Sequence, residues 1–82
     1  MSEATESMKE AARQIRNVAA EIHGVADYEI GETRERVPEA FVGDAAKALT
    51  DRLEEMNYRL KWISNRLDDT AWEILQYAWW LE

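Results

Sequence analysis

An all-α fold, drawn as an antiparallel two-helix hairpin, is what three features of the sequence predict. Apolar residues recur in steps of three and four through most of the 82 residues. The single proline and one glycine fall together near the middle, at Pro38 and Gly43. The runs on either side of them are similar in length, so each can cover the other's apolar stripe.

The first helix is expected to begin between Thr5 and Met8. Ser7 followed by Glu10 forms a capping-box pattern, with Thr5 as an alternative cap. Met8, Ala11, Ile15, Val18, Ile22 and Val25 then line one helix face. The phase slips after Val25, and Ile30, Thr33 and Val37 resume it, as in the stutter of a coiled coil. Gly24 and Gly31 lie in this stretch, each about 1 kcal/mol worse than alanine inside a helix. A bend or break between residues 24 and 31 therefore competes with an unbroken helix, which is the preferred reading. Proline disfavours helical backbone at the residue before it, so the helix should span about 6–37.

Residues 38–44 form the predicted turn, with Asp44 as the N-cap of a second helix over 45–81. Ala46, Leu49, Leu53, Met56, Leu60, Ile63 and Leu67 keep the three-and-four rhythm, and Thr70, Ile74, Tyr77 and Leu81 continue it. Glu55 with Arg59, and Glu32 with Arg36, are favourably spaced pairs one helical turn apart. Helices of this size are roughly 45–55 Å long. The predicted hairpin core sets Ile15, Val18 and Ile22 against Leu49, Leu53, Met56, Leu60, Ile63, Leu67 and Ile74.

More apolar surface remains than one hairpin requires. Ala12, Ala19 and Ala26 recur at heptad spacing, followed by Thr33 and Ala40. They either serve helix propensity alone or form a second packing surface for a partner. On the second helix Tyr58, Trp62, Trp72, Leu75 and Trp79 lie away from the Leu/Ile stripe, with Trp80 at its edge. Some of these indoles could lean into the seam, but a partner interface is the main expectation, because exposed aromatic patches mark contact sites. A membrane-surface role is a lesser alternative, since the lysine-rich polar face it needs is missing.

Composition narrows the function. The chain has no cysteine, one histidine and a formal charge of −7. Thiolate chemistry, a histidine zinc cluster and a basic nucleic-acid surface are thereby excluded. No stretch approaches the ~20 apolar residues that span a bilayer, so no membrane insertion is expected. The start, MSEATESMKEAARQ, is acidic and polar, and no ordinary signal peptide is expected there. His23 reads as a solvated surface residue; Asp68 with Asp69, and Glu54 with Glu55, read as solvated neighbours. No catalytic residue, cofactor or metal is predicted, and the chain is not expected to be an enzyme.

The segment Phe41-Val42-Gly43-Asp44-Ala45-Ala46-Lys47-Ala48-Leu49 resembles the WXG-motif, ESAT-like family of small helical hairpins associated with bacterial type VII secretion. Phe41 stands in the tryptophan position, Gly43 is the motif glycine, Ala45 and Ala46 match the alanine pair, and Leu49 is the apolar residue that follows. The layout extends over the whole chain. The resemblance implies a homodimer, or a heterodimer with a helical secreted protein, closing a four-helix bundle. It also implies secretion by a signal-peptide-independent route, or a cytoplasmic role as an export adaptor for a larger toxin. Two departures stand out: phenylalanine replaces tryptophan, and Tyr77 is followed at the export-signal spacing by Leu81, with Glu82 one place late. A rival in another class is an unrelated acidic coiled-coil regulator or inhibitor that sequesters a basic partner.

Overall fold

Ser2 opens the first arm. Its Oγ accepts the Thr5 N–H at 3.2 Å, and the Thr5 hydroxyl donates back to the Ser2 carbonyl at 2.9 Å. Helix α1 therefore begins earlier than the capping-box pattern suggests and runs Glu3–Gly24, with Ser7 already inside it. Glu3 and Glu6 put negative charge in its first turn, which suits the positive helix end. These features come from a computed structural model that describes residues 2–82; Met1 of the predicted 1–82 domain lies outside the described residues.

The expected phase slip has a definite structural form. Over Val25–Ile30 the chain winds as a π-helix, and the Gly31 N–H donates to the Ala26 carbonyl five residues back. A π turn takes up one more residue than an α turn. Ala26 and Ile30 can therefore both face the opposite arm, buried and half-buried respectively. The arm continues without a break as α2, Gly31–Ala40.

Pro38 does not end the helix at Arg36 or Val37, as its ring predicts; it sits inside the last turn of α2. Proline's missing N–H forfeits one helical bond there, and only two further residues of helix follow it. The Phe41 N–H closes the last turn by donating to the Val37 carbonyl at 2.9 Å. Phe41 and Val42 are extended, and Gly43 turns back with φ of +66°, the one positive φ among the described residues. Helix α3 then runs Gly43–Leu81. The reversal is much tighter than the predicted turn over 38–44. Asp44 is not the N-cap: Val42 holds that position without a side-chain bond, and Asp44 lies in the first turn of α3.

The arms pack antiparallel into a rod of 60 × 14 × 10 Å. Their seam is made of small residues. Thr5, Ala12, Ala19 and Ala26 are buried at seven-residue intervals on the first arm, followed by Val37 beyond the π turn. Facing them on α3 are Ser64, Ala71 and Ala78, with Asn57 half-buried next in the series. Two hydrogen bonds set the register: Ser64 Oγ donates to the Ala19 carbonyl at 2.8 Å, and Asn57 Nδ2 to the Ala26 carbonyl at 2.6 Å. Continued by heptads, this register brings Ala12 level with Ala71 and Thr5 level with Ala78. A serine hydroxyl touches the opposite main chain only when the two backbones lie close together, and side chains no larger than alanine or serine permit that approach.

Two sequence expectations are corrected by this seam. Ala12, Ala19 and Ala26 are fully buried between the arms and are closed to a partner. Of the predicted hairpin core only Leu53 is buried; Ile15, Ile22, Leu49, Leu60, Leu67 and Ile74 are half-buried, and Val18, Met56 and Ile63 are exposed. The small stripe packs innermost because close backbone approach leaves no room for leucine there, so the larger stripes are displaced to one side.

Replacing Ala19 by leucine should overpack the seam and lower stability by about 1–3 kcal/mol, seen in thermal unfolding followed by circular dichroism. Ala20→Leu, one residue along on the exposed side, should stay within about 0.5 kcal/mol. Gly43→Val should cost about 1–2 kcal/mol through the positive φ alone, because no atom lies within 4 Å of an added Cβ.

Candidate interaction surface

With the small residues innermost, the two aliphatic stripes come to lie side by side along one broad face. The residue three places after each seam residue borders the groove: Met8, Ile15 and Ile22 on α1, and Leu53, Leu60, Leu67 and Ile74 on α3. Outside them stand Ala11, Val18 and Val25 on the first arm and Leu49, Met56, Ile63 and Tyr77 on α3. A shallow depression lined by Ala11, Gln14, Ile15, Val18 and Leu67 joins the stripes across the seam. Among the described residues no large side chain is fully buried, so the hairpin has no bulky core of its own.

The predicted aromatic residues lie on α3 away from the aliphatic stripe, with Tyr58, Trp72 and Trp79 at the heptad position that Asn65 also holds. Tyr58, Trp62, Trp72, Trp79 and Trp80 are all exposed, Trp80 at 79%, while Leu75 is half-buried. Trp72 and Trp79 meet edge to face with centroids 5.7 Å apart, and Tyr77 and Trp80 are tilted against each other at 6.1 Å. The Arg66 guanidinium stands 5.6 Å from the Trp62 ring. These rings pack along their own helix and not into the seam. At the turn, Phe41 is 47% exposed.

The opposite face is polar along α1, and along α3 it sets Asn65 and Asp68 among the exposed Tyr58, Trp72 and Trp79. A groove of about 700 Å³ runs along it, lined by Lys9, Arg13, Arg16 and His23 from α1 and by Asn65, Asp68 and Leu75 from α3. Lys9 pairs with Glu82 near the open end of the hairpin, and Arg34 reaches Glu54 at 3.3 Å near the turn. Between them Asp27, in the π turn, accepts from Lys61 of the other arm and from His23 of its own, both at 3.0 Å. The Lys61 hydrogen bond holds the Asp27 carboxyl below the ordinary aspartate value, with the nearby His23 adding to it. Among the described residues no group of His, Asp and Glu is placed to hold a metal, and no helix is long and apolar enough to cross a membrane.

Asn57 and Ser64 were not among the residues that sequence reasoning singled out. Their signal is a heptad series on α3, Thr50, Asn57, Ser64, Ala71 and Ala78, matching the alanine series on the first arm. Polar members hid it from a search for apolar periodicity.

A depressed folded-state value means that Asp27 contributes stability above its unfolded value of about 3.9, and that this contribution disappears as pH falls through the lower folded value. Lys61→Met should raise the Asp27 titration midpoint toward that unfolded value, as read by carboxyl carbon NMR.

Comparison of the chain with protein-family models, with curated proteins and with solved structures finds no match.

Proposed function

We propose that this chain acts by helix association and not by catalysis, as a WXG-like component of type VII secretion. Its aliphatic face closes a four-helix bundle with another helical hairpin. The observation that supports this most is the lack of any fully buried large side chain beside two aliphatic stripes lying along one face. A domain of this size is marginal even with a good core, so covering that face supplies stability the hairpin lacks. Arms of similar length reversing at Phe41-Val42-Gly43, with glycine in a conformation that side chains resist, favour the WXG-like layout in particular. The aromatic residues Tyr58, Trp62, Trp72 and Trp79, away from the aliphatic face, are left for a second contact, with a cognate secreted protein. In this reading the chain travels with that partner or stays in the cytoplasm as its export adaptor.

Light scattering of the purified chain should give a mass at least twice the 9.6 kDa of one copy, or a stable complex when the chain is co-expressed with its secreted partner. Met56→Glu with Ile63→Glu should return it to a single copy. In a host with a type VII system, export of the chain or its partner should require the system's ATPase. A wild-type monomer that binds no helical partner would overturn association. Assembly that dissolves in moderate salt and tolerates both glutamates would favour the acidic-inhibitor reading. Export unaffected by loss of the ATPase would overturn the secretion assignment.

A further inference from the structure

The groove of about 700 Å³ opposite the aliphatic face carries a charge that runs against that of the molecule. Aspartate and glutamate outnumber lysine and arginine by 17 to 10 in the chain. Yet Lys9, Arg13, Arg16 and His23, all the basic residues of α1, line this one groove. The acids of α1, Glu3, Glu6, Glu10 and Glu21, stay out of it, and Asp68 is the one carboxylate in its walls among the described residues. Lys9, Arg16 and His23 follow each other at seven-residue intervals, a nearly straight row along the helix with steps of about 10 Å. Lys9 pairs with Glu82 and Glu6, Arg13 with Glu10, and His23 with Asp27. The Arg16 guanidinium and the side-chain amides of Asn17 and Asn65 make no hydrogen bond or ion pair among the described residues. Small Ala20 and Ser64 line the groove between the arms, and half-buried Leu75 adds an apolar patch toward the open end. Trp72 and Trp79 hold the heptad position of Asn65 and so stand along the same wall.

We infer that this groove docks an acidic helix of a partner protein. A row of aspartates or glutamates on that helix faces α1, and its apolar edge lies toward Leu75 and the indoles. This gives the chemistry of the second contact proposed above and rests on that reading alone, whatever covers the aliphatic face. Charge complementarity selects the occupant. A carboxylate suits Arg16 and the two amides, whose N–H donors have no acceptor. A second α-helix has the same rise and repeat as α1, so acids at seven-residue spacing reach Lys9, Arg16 and His23 together. The Arg13–Glu10 pair is exposed, and pairs of that kind are weak enough for Arg13 to change partners. Nucleic acid fits poorly, because a continuous polyanion meets the −7 charge of the chain. A single acidic row places its charge only over the cations.

The test uses the full chain and a designed probe. The probe is an alanine-based helical peptide of three heptads with glutamate at one position of each and leucine beside it; its control carries glutamine for glutamate. In nitrogen-15 NMR titrations the glutamate peptide should shift the Arg16, Asn17 and Asn65 side-chain signals, and the control should bind about tenfold more weakly. Arg13→Gln with Arg16→Gln should weaken the glutamate peptide by about tenfold as well. Arg36→Gln with Arg52→Gln removes the same charge from exposed positions outside the groove and should leave its affinity within about twofold. No shift with the glutamate peptide would overturn the inference while leaving association at the aliphatic face standing. Equal loss in the two double variants would overturn the site, reducing it to net charge. Binding lost in Trp72→Ala with Trp79→Ala but untouched in Arg13→Gln with Arg16→Gln would overturn the groove and leave the aromatic contact standing. Tighter binding of a single-stranded oligonucleotide would overturn the choice of occupant.

Discussion

Close approach of two helix backbones is the constraint on which the rest of this molecule depends. From Thr5 to Ala26 it is enforced by a column of small residues and fixed in register by two side chains, Ser64 and Asn57, that donate to main-chain carbonyls across the seam. A seam of this kind packs tightly but removes little apolar area from water, because alanine has little to bury. Tight packing and marginal burial thus come from the same choice of residues. The larger aliphatic side chains are pushed to one flank, and a helical rod becomes a two-faced object with a polar side and an apolar side.

The π turn belongs to the same geometry. An arm of ordinary α-helix from Glu3 to Ala40 would continue the seven-residue series from Ala26 to Thr33 and Ala40, whereas with the π turn Thr33 is exposed. Winding Val25–Ile30 more widely brings Ile30 and then Val37 to the inside. At that turn the Ala26 carbonyl accepts both the Gly31 N–H and the Asn57 side chain, and Asp27 ties Lys61 to His23. Main-chain and side-chain bonds therefore hold the irregular segment against the opposite arm.

Much of the architecture was legible in the sequence, because the three-and-four periodicity and the central Pro38-to-Gly43 segment act locally. The phase slip after Val25 was visible too, though periodicity alone could not say whether the chain would bend, break or wind wider. The identity of the seam was not legible. Hydrophobic pattern reading ranks leucine above alanine and so took Leu60 and Ile63 as the inside and Ala19 as the outside. Helix packing selects by size as well as by polarity, and the buried series on α3 contains Asn57 and Ser64, whose polarity is satisfied only once the opposite carbonyls are in place. The helix ends differ for local reasons: Ser2 caps the helix through its own bonds with Thr5, ahead of the Ser7–Glu10 pattern, and Pro38 costs the last turn of α2 only its own N–H bond. Spacing sets the aromatic positions on the side of α3 away from the Leu/Ile stripe, and Tyr58, Trp62, Trp72, Trp79 and Trp80 are exposed while Leu75 is half-buried.

The wide turn also affects how a gene for such a hairpin can change length. Loss of one residue between Val25 and Ile30 would let the segment rewind as ordinary α-helix, leaving Val37 and its neighbours still directed at the opposite arm. The same loss between Ala19 and Gly24 would rotate Ala12 and Ala19 out of the seam together. A single codon is thus cheap at one place in the arm and ruinous elsewhere, so length variation in related chains should concentrate at the π turn.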